Sequence, residues 1–335
     1  MTVAATVLLA VAACSTPSDP APAPDDSLTT AQSGPAPSLN ETPDPARSLN
    51  QTLNPTADPA RSLNSAHQPT AWAYQLQNYK NDRLDELAAG RYQTVVIDLA
   101  RDGHSGWFTS AEIAHVRATG KRVLAYFEIG SIENFRPEYP GLDRDLIANE
   151  WTDWPGEYFV RYWDERWWRS VVRSRIDRAL SAGFDGAYLD TPLAYEEISL
   201  SFAQGNDRNA LALKMASLIA RISAYAKARD PDFLVVPQNS PELRHQPGYT
   251  AAIDGIGMEE LFFKATDERC AEDWCAENLA DTRALRDAGK FVLSVDYATR
   301  PADVRAACDH YASERFTGTV TVLDLDRPGP PCPRK

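Results

Sequence analysis

The chain predicts a single (β/α)8 barrel preceded by a disordered N-terminal stalk. The body, 67–335, holds about 270 residues, close to the ~250 typical of that barrel. Eight apolar, strand-like runs recur along it, with helical patterns between most of them. A doubly wound sheet is the rival, but it usually brings a glycine-rich phosphate turn, and no Gly-x-Gly-x-x-Gly occurs.

The apolar run 1–14 is too short for a membrane span of roughly 20 residues. It has the form of a secretory signal, and Val11-Ala12-Ala13-Cys14 has the form of a lipobox. Cys14 is therefore the expected lipidation site, although no Lys or Arg precedes it. A plain cleaved signal is the alternative. Residues 15–66 are rich in Pro, Ala, Ser, Thr and Asp, contain no aromatic residue and repeat Asp-Pro-Ala-Arg-Ser-Leu-Asn from Asp44 and Asp58. Such a segment has little to bury and predicts a disordered linker.

The strand-like runs of the body are 72–79, 94–99, 122–129, 186–190, 233–238, 255–259, 291–297 and 319–325. Their near-continuous apolar character suits parallel strands covered on both faces. Thr109-Ser110-Ala111-Glu112 is a capping box opening a helix to about Ala118. Longer helices are predicted over 167–180 and 209–228, and Pro301 marks a helix start. The stretch 240–252 is too short and too polar to predict a helix.

The chain has 335 residues, is 43% hydrophobic and carries a formal charge of −13, which excludes a disordered protein and argues against a nucleic-acid partner. Cys270, Cys275, Cys308 and Cys332 form an even set, as expected for an exported chain. Of three connectivities, Cys270–Cys275 and Cys308–Cys332 join the nearest in sequence. A zinc site is the weaker alternative, because no Cys-x-x-Cys or His-x-x-x-His spacing occurs.

The chemical signal lies where the acids fall. The strands end in Asp98, Glu128, Asp190, Gln238-Asn239, Glu259, Asp296 and Asp324. In a barrel these ends meet at one mouth. A single such acid can serve as a helix cap, but a recurring set suits two-carboxylate glycoside hydrolysis, in which one carboxyl protonates the leaving oxygen and the other attacks or stabilises the anomeric carbon. Five His show no metal spacing, and no Gly-x-Ser-x-Gly elbow is present. Trp151, Trp154, Trp163, Trp167 and Trp168 cluster after the third strand. Trp167 or Trp168 is expected to pack a helix on the barrel, and Trp154, in a loop-like Trp-Pro-Gly, to offer a stacking face to a sugar.

Several stretches together resemble glycoside hydrolase family 114, the endo-α-1,4-polygalactosaminidases. They are Val123-Leu-Ala-Tyr-Phe-Glu-Ile-Gly130 with Glu133 and Arg136, Asp153-Trp-Pro-Gly-Glu157 with Trp163 and Trp167, Gly183-Phe-Asp-Gly-Ala-Tyr-Leu-Asp190, Pro237-Gln-Asn239, Asp254-Gly-Ile-Gly-Met-Glu259 and Gly289-Lys-Phe-Val-Leu-Ser-Val-Asp-Tyr297. The resemblance implies a barrel and hydrolysis of α-1,4-linked galactosamine polymers without a cofactor or metal. It implies Asp190 and Glu259 as the catalytic pair, and analogy with α-galactosidase barrels makes Asp190 the nucleophile and Glu259 the acid/base. Asp98, Tyr126, Asp296 and Tyr297 are expected to line the sugar subsite, Gln238 and Asn239 to donate to hydroxyls, and Glu128, Glu133, Arg136 and Trp154 to complete the binding set. Strand alternation lets only one of Glu259 and Glu260 face the mouth. The expectation is an exported monomer acting on polysaccharide, meeting a membrane only through its lipid anchor. Another α-linked amino sugar or galactan as substrate, or a non-catalytic surface protein that binds polysaccharide, are the alternatives.

Overall fold

A computed structural model describes residues 68–332. The signal segment, Cys14 and the linker 15–66 lie outside the described residues. The eight barrel strands are β1 (Trp72–Tyr74), β2 (Thr94–Asp98), β3 (Arg122–Glu128), β4 (Gly186–Asp190), β5 (Leu234–Pro237), β6 (Gly255–Glu259), β7 (Phe291–Tyr297) and β8 (Thr317–Thr321). The pairs β1–β2, β2–β3, β3–β4 and β4–β5 are parallel, as are β6–β7 and β7–β8. A parallel bridge, Gln238 to Gly257, joins β5 to β6. The ring closes where the Leu76 amide donates to the Leu325 carbonyl at 2.9 Å.

Side-chain alternation splits the core in two. Trp72, Tyr74, Val96, Leu124, Tyr126, Tyr188, Val236, Leu293, Val295 and Tyr297 fill the interior. Their neighbours in sequence, such as Ala73, Val95, Ile97, Ala125, Ala187 and Val292, face the helices. The helix ring includes α1 (Asp85–Ala89), α2 (Ser110–Arg117), α4 (Arg208–Lys227), α5 (Asp273–Asp287) and α6 (Pro301–Glu314). Between α2 and α4 lies α3, where Glu165–Trp167, a π turn over Trp168–Val172 and Arg173–Ala182 follow without a break.

The Thr109 capping box is present in both directions, and Pro301 opens α6. Trp167 is fully buried and donates its indole N–H to the Ile129 carbonyl at 2.9 Å, so it pins α3 to the end of β3. The stretch 240–252 forms only single turns, Pro241–His245 and Tyr249–Ala252. The eighth strand starts two residues earlier than expected and ends at Thr321, so Asp324 lies beyond it. Thr317 and Gly318 fell outside the expected run, but Gly318 is needed where the Tyr311 ring covers the strand, since a Cβ there would lie 1.7 Å from the ring.

Two insertions leave the mouth end. Ser131–Glu133, Ile147–Glu150 and Glu157–Val160 form an antiparallel sheet above β3. Phe263–Lys264 and Glu268–Arg269 form a small hairpin after β6. Cys270 bonds Cys275 and Cys308 bonds Cys332, the pairing of nearest neighbours. Both suit an oxidising compartment. Among the described residues no helix is long and apolar enough to cross a membrane.

Candidate active site

Each strand end delivers its last inward side chain to the mouth. Asp98 continues the interior face of Val96, Glu128 that of Tyr126, Asp190 that of Tyr188, and Glu259 that of Gly257. Their surroundings then divide them. Asp98 is 3% exposed and Glu128 0%, whereas Asp190 and Glu259 keep partial exposure.

Asp190 Oδ2 accepts the Tyr126 hydroxyl at 2.5 Å, and Oδ1 accepts the Thr191 amide at 2.6 Å. Glu259 Oε2 accepts the side-chain amides of Gln238 and, at 3.0 Å, Asn239, and Oε1 accepts the Tyr297 hydroxyl. Gln238 is fixed in turn by the Tyr74 hydroxyl, which donates to its Oε1 at 2.9 Å. The Asn239 Oδ1 accepts the Glu259 amide at 2.9 Å. Burial and then the charge of Glu259 push the Asp190 carboxyl up to about 7. Burial also raises Glu259, against the three donors that favour its ionised form.

Backbone turns aim these groups. Immediately after Asp190, Gln238 and Glu259 the chain enters the left-handed region, at Thr191 (φ 59°), Asn239 (φ 60°) and Glu260 (φ 58°). Such conformations are costly for non-glycine residues, most of all for β-branched Thr, and cluster at functional sites. Thr191 is held from the start of the insertion after β3: its hydroxyl accepts the Gly130 amide at 3.0 Å and lies 2.9 Å from the Ser131 hydroxyl oxygen. Gly130 must be glycine, because a Cβ there would sit 2.2 Å from the Thr191 carbonyl oxygen. Below the acids, a Cβ on Gly257 would sit 2.0 Å from the Tyr188 hydroxyl, so this glycine leaves room for the tyrosine that joins the two acid-bearing strands. Glu260 points elsewhere, accepting the Ala265 amide at 2.6 Å.

Beside Asp190 lies a buried ion network. Arg136 binds Asp98 at 2.8 Å, Glu133 at 2.7 Å and Glu128. Arg175 binds the other Glu128 oxygen at 2.6 Å and Glu138 at 3.1 Å. Burial alone would raise Glu128, but Arg136 and Arg175 outweigh it and hold the carboxyl far below its ordinary range. Glu133 is pushed up by burial and by the Glu128 charge.

Four expected sugar contacts are corrected by this geometry. Asp98, Glu128 and Arg136 are buried and turn their polar atoms to one another and to Ala100, Gly103, Glu133 and Arg175. Asp296 faces the helices, since its neighbours Val295 and Tyr297 face inward. It is fully buried, and it accepts the Phe262 and Phe263 amides at 2.8 and 2.7 Å and the Tyr311 hydroxyl. Its work is to stitch the segment after Glu259 onto β7. Tyr126, Gln238 and Tyr297 touch the two acids but are themselves buried; Asn239 is half-buried, and Trp154 is 48% exposed on the loop before Glu157–Val160.

Glu157, Thr191, Arg175, Tyr74 and Tyr188 belong to the site without having been singled out. Glu157 and Tyr188 had a signal, as members of the Asp153-Trp-Pro-Gly-Glu157 and Gly183-Phe-Asp-Gly-Ala-Tyr-Leu-Asp190 stretches. Glu157 closes the first of these. It is 8% exposed, and it accepts the Ser131 hydroxyl at 2.5 Å. Burial and the charge of Asp190 raise it to about 8. The folded protein thus keeps a proton that the unfolded chain loses near pH 4.5. Glu157 therefore costs nothing at pH 4 and costs stability increasingly as pH rises toward 8, by up to ~1.4 kcal/mol per pH unit. Glu157→Gln should match the wild type in urea unfolding at pH 4.5 and exceed it at pH 8, by at least ~1 kcal/mol. Equal stabilities at both pH values would show that Glu157 is ionised in the fold.

Among the described residues Cys270, Glu272 and Cys275 come close enough to suggest a metal cluster, but the two sulfurs are bonded to each other.

Comparison with known proteins agrees with this architecture. An uncharacterised protein of Deinococcus radiodurans is 31% identical over 261 residues, covering 76% of this chain and 81% of its own. The Aspergillus fumigatus Ega3 structure, in complex with galactosamine, superposes with a TM-score of 0.59 at 19% identity, over 77% of this chain and 92% of its own. The glycoside hydrolase domain of PelA from Pseudomonas aeruginosa gives 0.61 at 18% identity, over 77% and 97%. These two likenesses are of fold. The model of glycoside-hydrolase family GH114 matches residues 52–335, so the chain belongs to that family and is a glycoside hydrolase.

Proposed function

We propose that the protein is an endo-acting hydrolase of α-1,4-linked, galactosamine-containing polysaccharide, exported and anchored through Cys14. The observation that carries the site assignment is the selective exposure of Asp190 and Glu259 among inward strand-end acids whose other members are paired away. In this reading a carboxylate oxygen of Asp190 attacks the anomeric carbon while the Glu259 carboxyl gives its proton to the departing glycosidic oxygen. Water then attacks the glycosyl ester, and Glu259 takes a proton from that water, which frees Asp190. Tyr126 and the Thr191 amide hold Asp190 in line, and Gln238, Asn239 and Tyr297 hold Glu259.

The amino-sugar assignment rests on charge. A partly deacetylated galactosamine polymer is cationic, and an ammonium group near Asp190 would favour its ionised, nucleophilic form. That Ega3 was solved with galactosamine supports the same class. Trp154 would stack a pyranose at the rim.

The test is to incubate the full chain with a partly deacetylated α-1,4-galactosamine polymer, a β-linked glucosamine polymer and a neutral galactan, and to size the products. A ladder of oligomers from the first alone is expected. A ladder from another polymer would replace the substrate, and binding without cleavage of any would make this a polysaccharide-holding protein.

A further inference from the structure

Five large apolar side chains are exposed among the described residues: Phe135, Trp154, Leu200, Leu213 and Trp274. Only Leu213 lies well along a helix of the outer ring, in α4. The other four follow the C-terminal ends of barrel strands: Phe135 and Trp154 after β3, Leu200 after β4, and Trp274 in the first turn of α5, after β6. Four of the five thus lie in the segments between a strand end and the helix that follows or in that helix's first turn, the end at which such a barrel carries its ligands, and three of them are aromatic.

Their order around the barrel gives that surface a direction. Asp190 ends the fourth strand and Glu259 the sixth. Trp154 and Phe135 leave the third, so they flank the pair on the Asp190 side. Trp274 leaves the sixth and flanks it on the Glu259 side. This second face is firmly mounted. Its neighbour Cys275 is buried and bonded to Cys270, whose amide donates to the Phe262 carbonyl at 2.9 Å. Phe262 is in turn held by Asp296 through its own amide and lies flat on His310, with ring centroids 4.5 Å apart.

We propose that Trp274 is a distal stacking subsite for a hexosamine ring of the polysaccharide, on the far side of the catalytic pair from Trp154. The chain then lies across the mouth from the β3 insertion to the start of α5. Contacts on both sides of the scissile bond are what cleavage within a polymer requires. The assignment rests on the hydrolase reading above and adds the path of the chain.

Full-length Trp274→Ala and Trp274→Phe, in the wild-type and Asp190→Asn backgrounds, test it. With long α-1,4-galactosamine polymer, Trp274→Ala should raise KM roughly 5–20-fold with kcat little changed. On the shortest oligomer still cleaved it should match the wild type, and Trp274→Phe should recover most of the loss. In the Asp190→Asn background, retardation in polymer-containing native gels should weaken in the same order, a readout independent of turnover. Unchanged KM and unchanged retardation would overturn the proposal and leave the hydrolase reading intact. A loss of equal size on the shortest oligomer would also overturn it, because Trp274 would then act at the reacting centre. If the polymer is neither cleaved nor retained by the parent proteins, the substrate assignment fails, and with it the subsite.

Discussion

Replacing Arg136 by Met is expected to destabilise the protein by about 3–5 kcal/mol, the usual loss when one partner of a buried ion pair is removed. Arg136 is 6% exposed and is shared by Asp98, Glu128 and Glu133. Without it two buried carboxylates lose their main compensating charge, and only Glu128 retains another, from Arg175. A loss of that size lowers the melting temperature by on the order of 10 °C in a domain of this length. The sign of the pH dependence follows from Glu128, which the guanidinium groups hold below its ordinary range. Such a carboxylate stabilises the fold above about pH 4.5, and its contribution is lost as pH falls through the folded value. The gap between wild type and Arg136→Met, measured by urea unfolding, should therefore be widest at pH 6–8 and narrow toward pH 3. Arg136→Lys should recover only part of it, since a single ammonium cannot reproduce the planar fork that reaches three carboxylates. A gap that does not change with pH would mean that packing of the side chain stem, and not its charge, is what Arg136 supplies.

The network also shows where sequence reasoning succeeds and stops. The eight strands were legible because parallel strands buried on both faces leave apolar runs too short and too β-branched for helices. Two runs moved: β1 stops at Tyr74, five residues short of the expected 79, and β8 starts at Thr317, because its polar Thr residues and Gly318 conceal a strand. The disulfide pairs were legible from separation alone. Asp296 was misread because it shared a strand end with Tyr297, yet alternation forbids both from facing the mouth. The same rule, applied to Glu259 and Glu260, had separated those two correctly. Arg175 and Thr191 could not be found this way. One sits on a helix where any Arg reads as surface, and the other matters through a left-handed turn that no local pattern announces. Glu128 likewise looked like a free strand-end acid, since its two arginine partners come from an insertion and a helix 8 and 47 residues away.

The largest effect is expected at the two acids left open to the mouth. Asp190→Asn and Glu259→Gln keep size and hydrogen-bonding reach but remove the ionisable group, and each should lower turnover at least ~10²-fold. Neither should unfold the protein. Asp190 is raised to about 7 by burial and by Glu259, so ionising it costs stability near neutral pH, and the neutral amide removes that cost. The role of Asp190 also fixes the shape of the pH profile. As nucleophile it must be ionised, so kcat/KM should climb with pH through about 7. As the proton donor it would instead make the rate fall through the same range.

If these two carboxyls together hydrolyse the polymer, new reducing ends must appear, and their release can be followed. Wild type, Asp190→Asn and Glu259→Gln, each shown to be folded, would be incubated at equal concentration with partly deacetylated α-1,4-galactosamine polymer. Steady release is expected from the wild type, release at least ~10²-fold slower from either variant, and undiminished retention of the polymer by both. Near-normal release by either variant would contradict the two-carboxyl assignment and move the chemistry to another carboxyl.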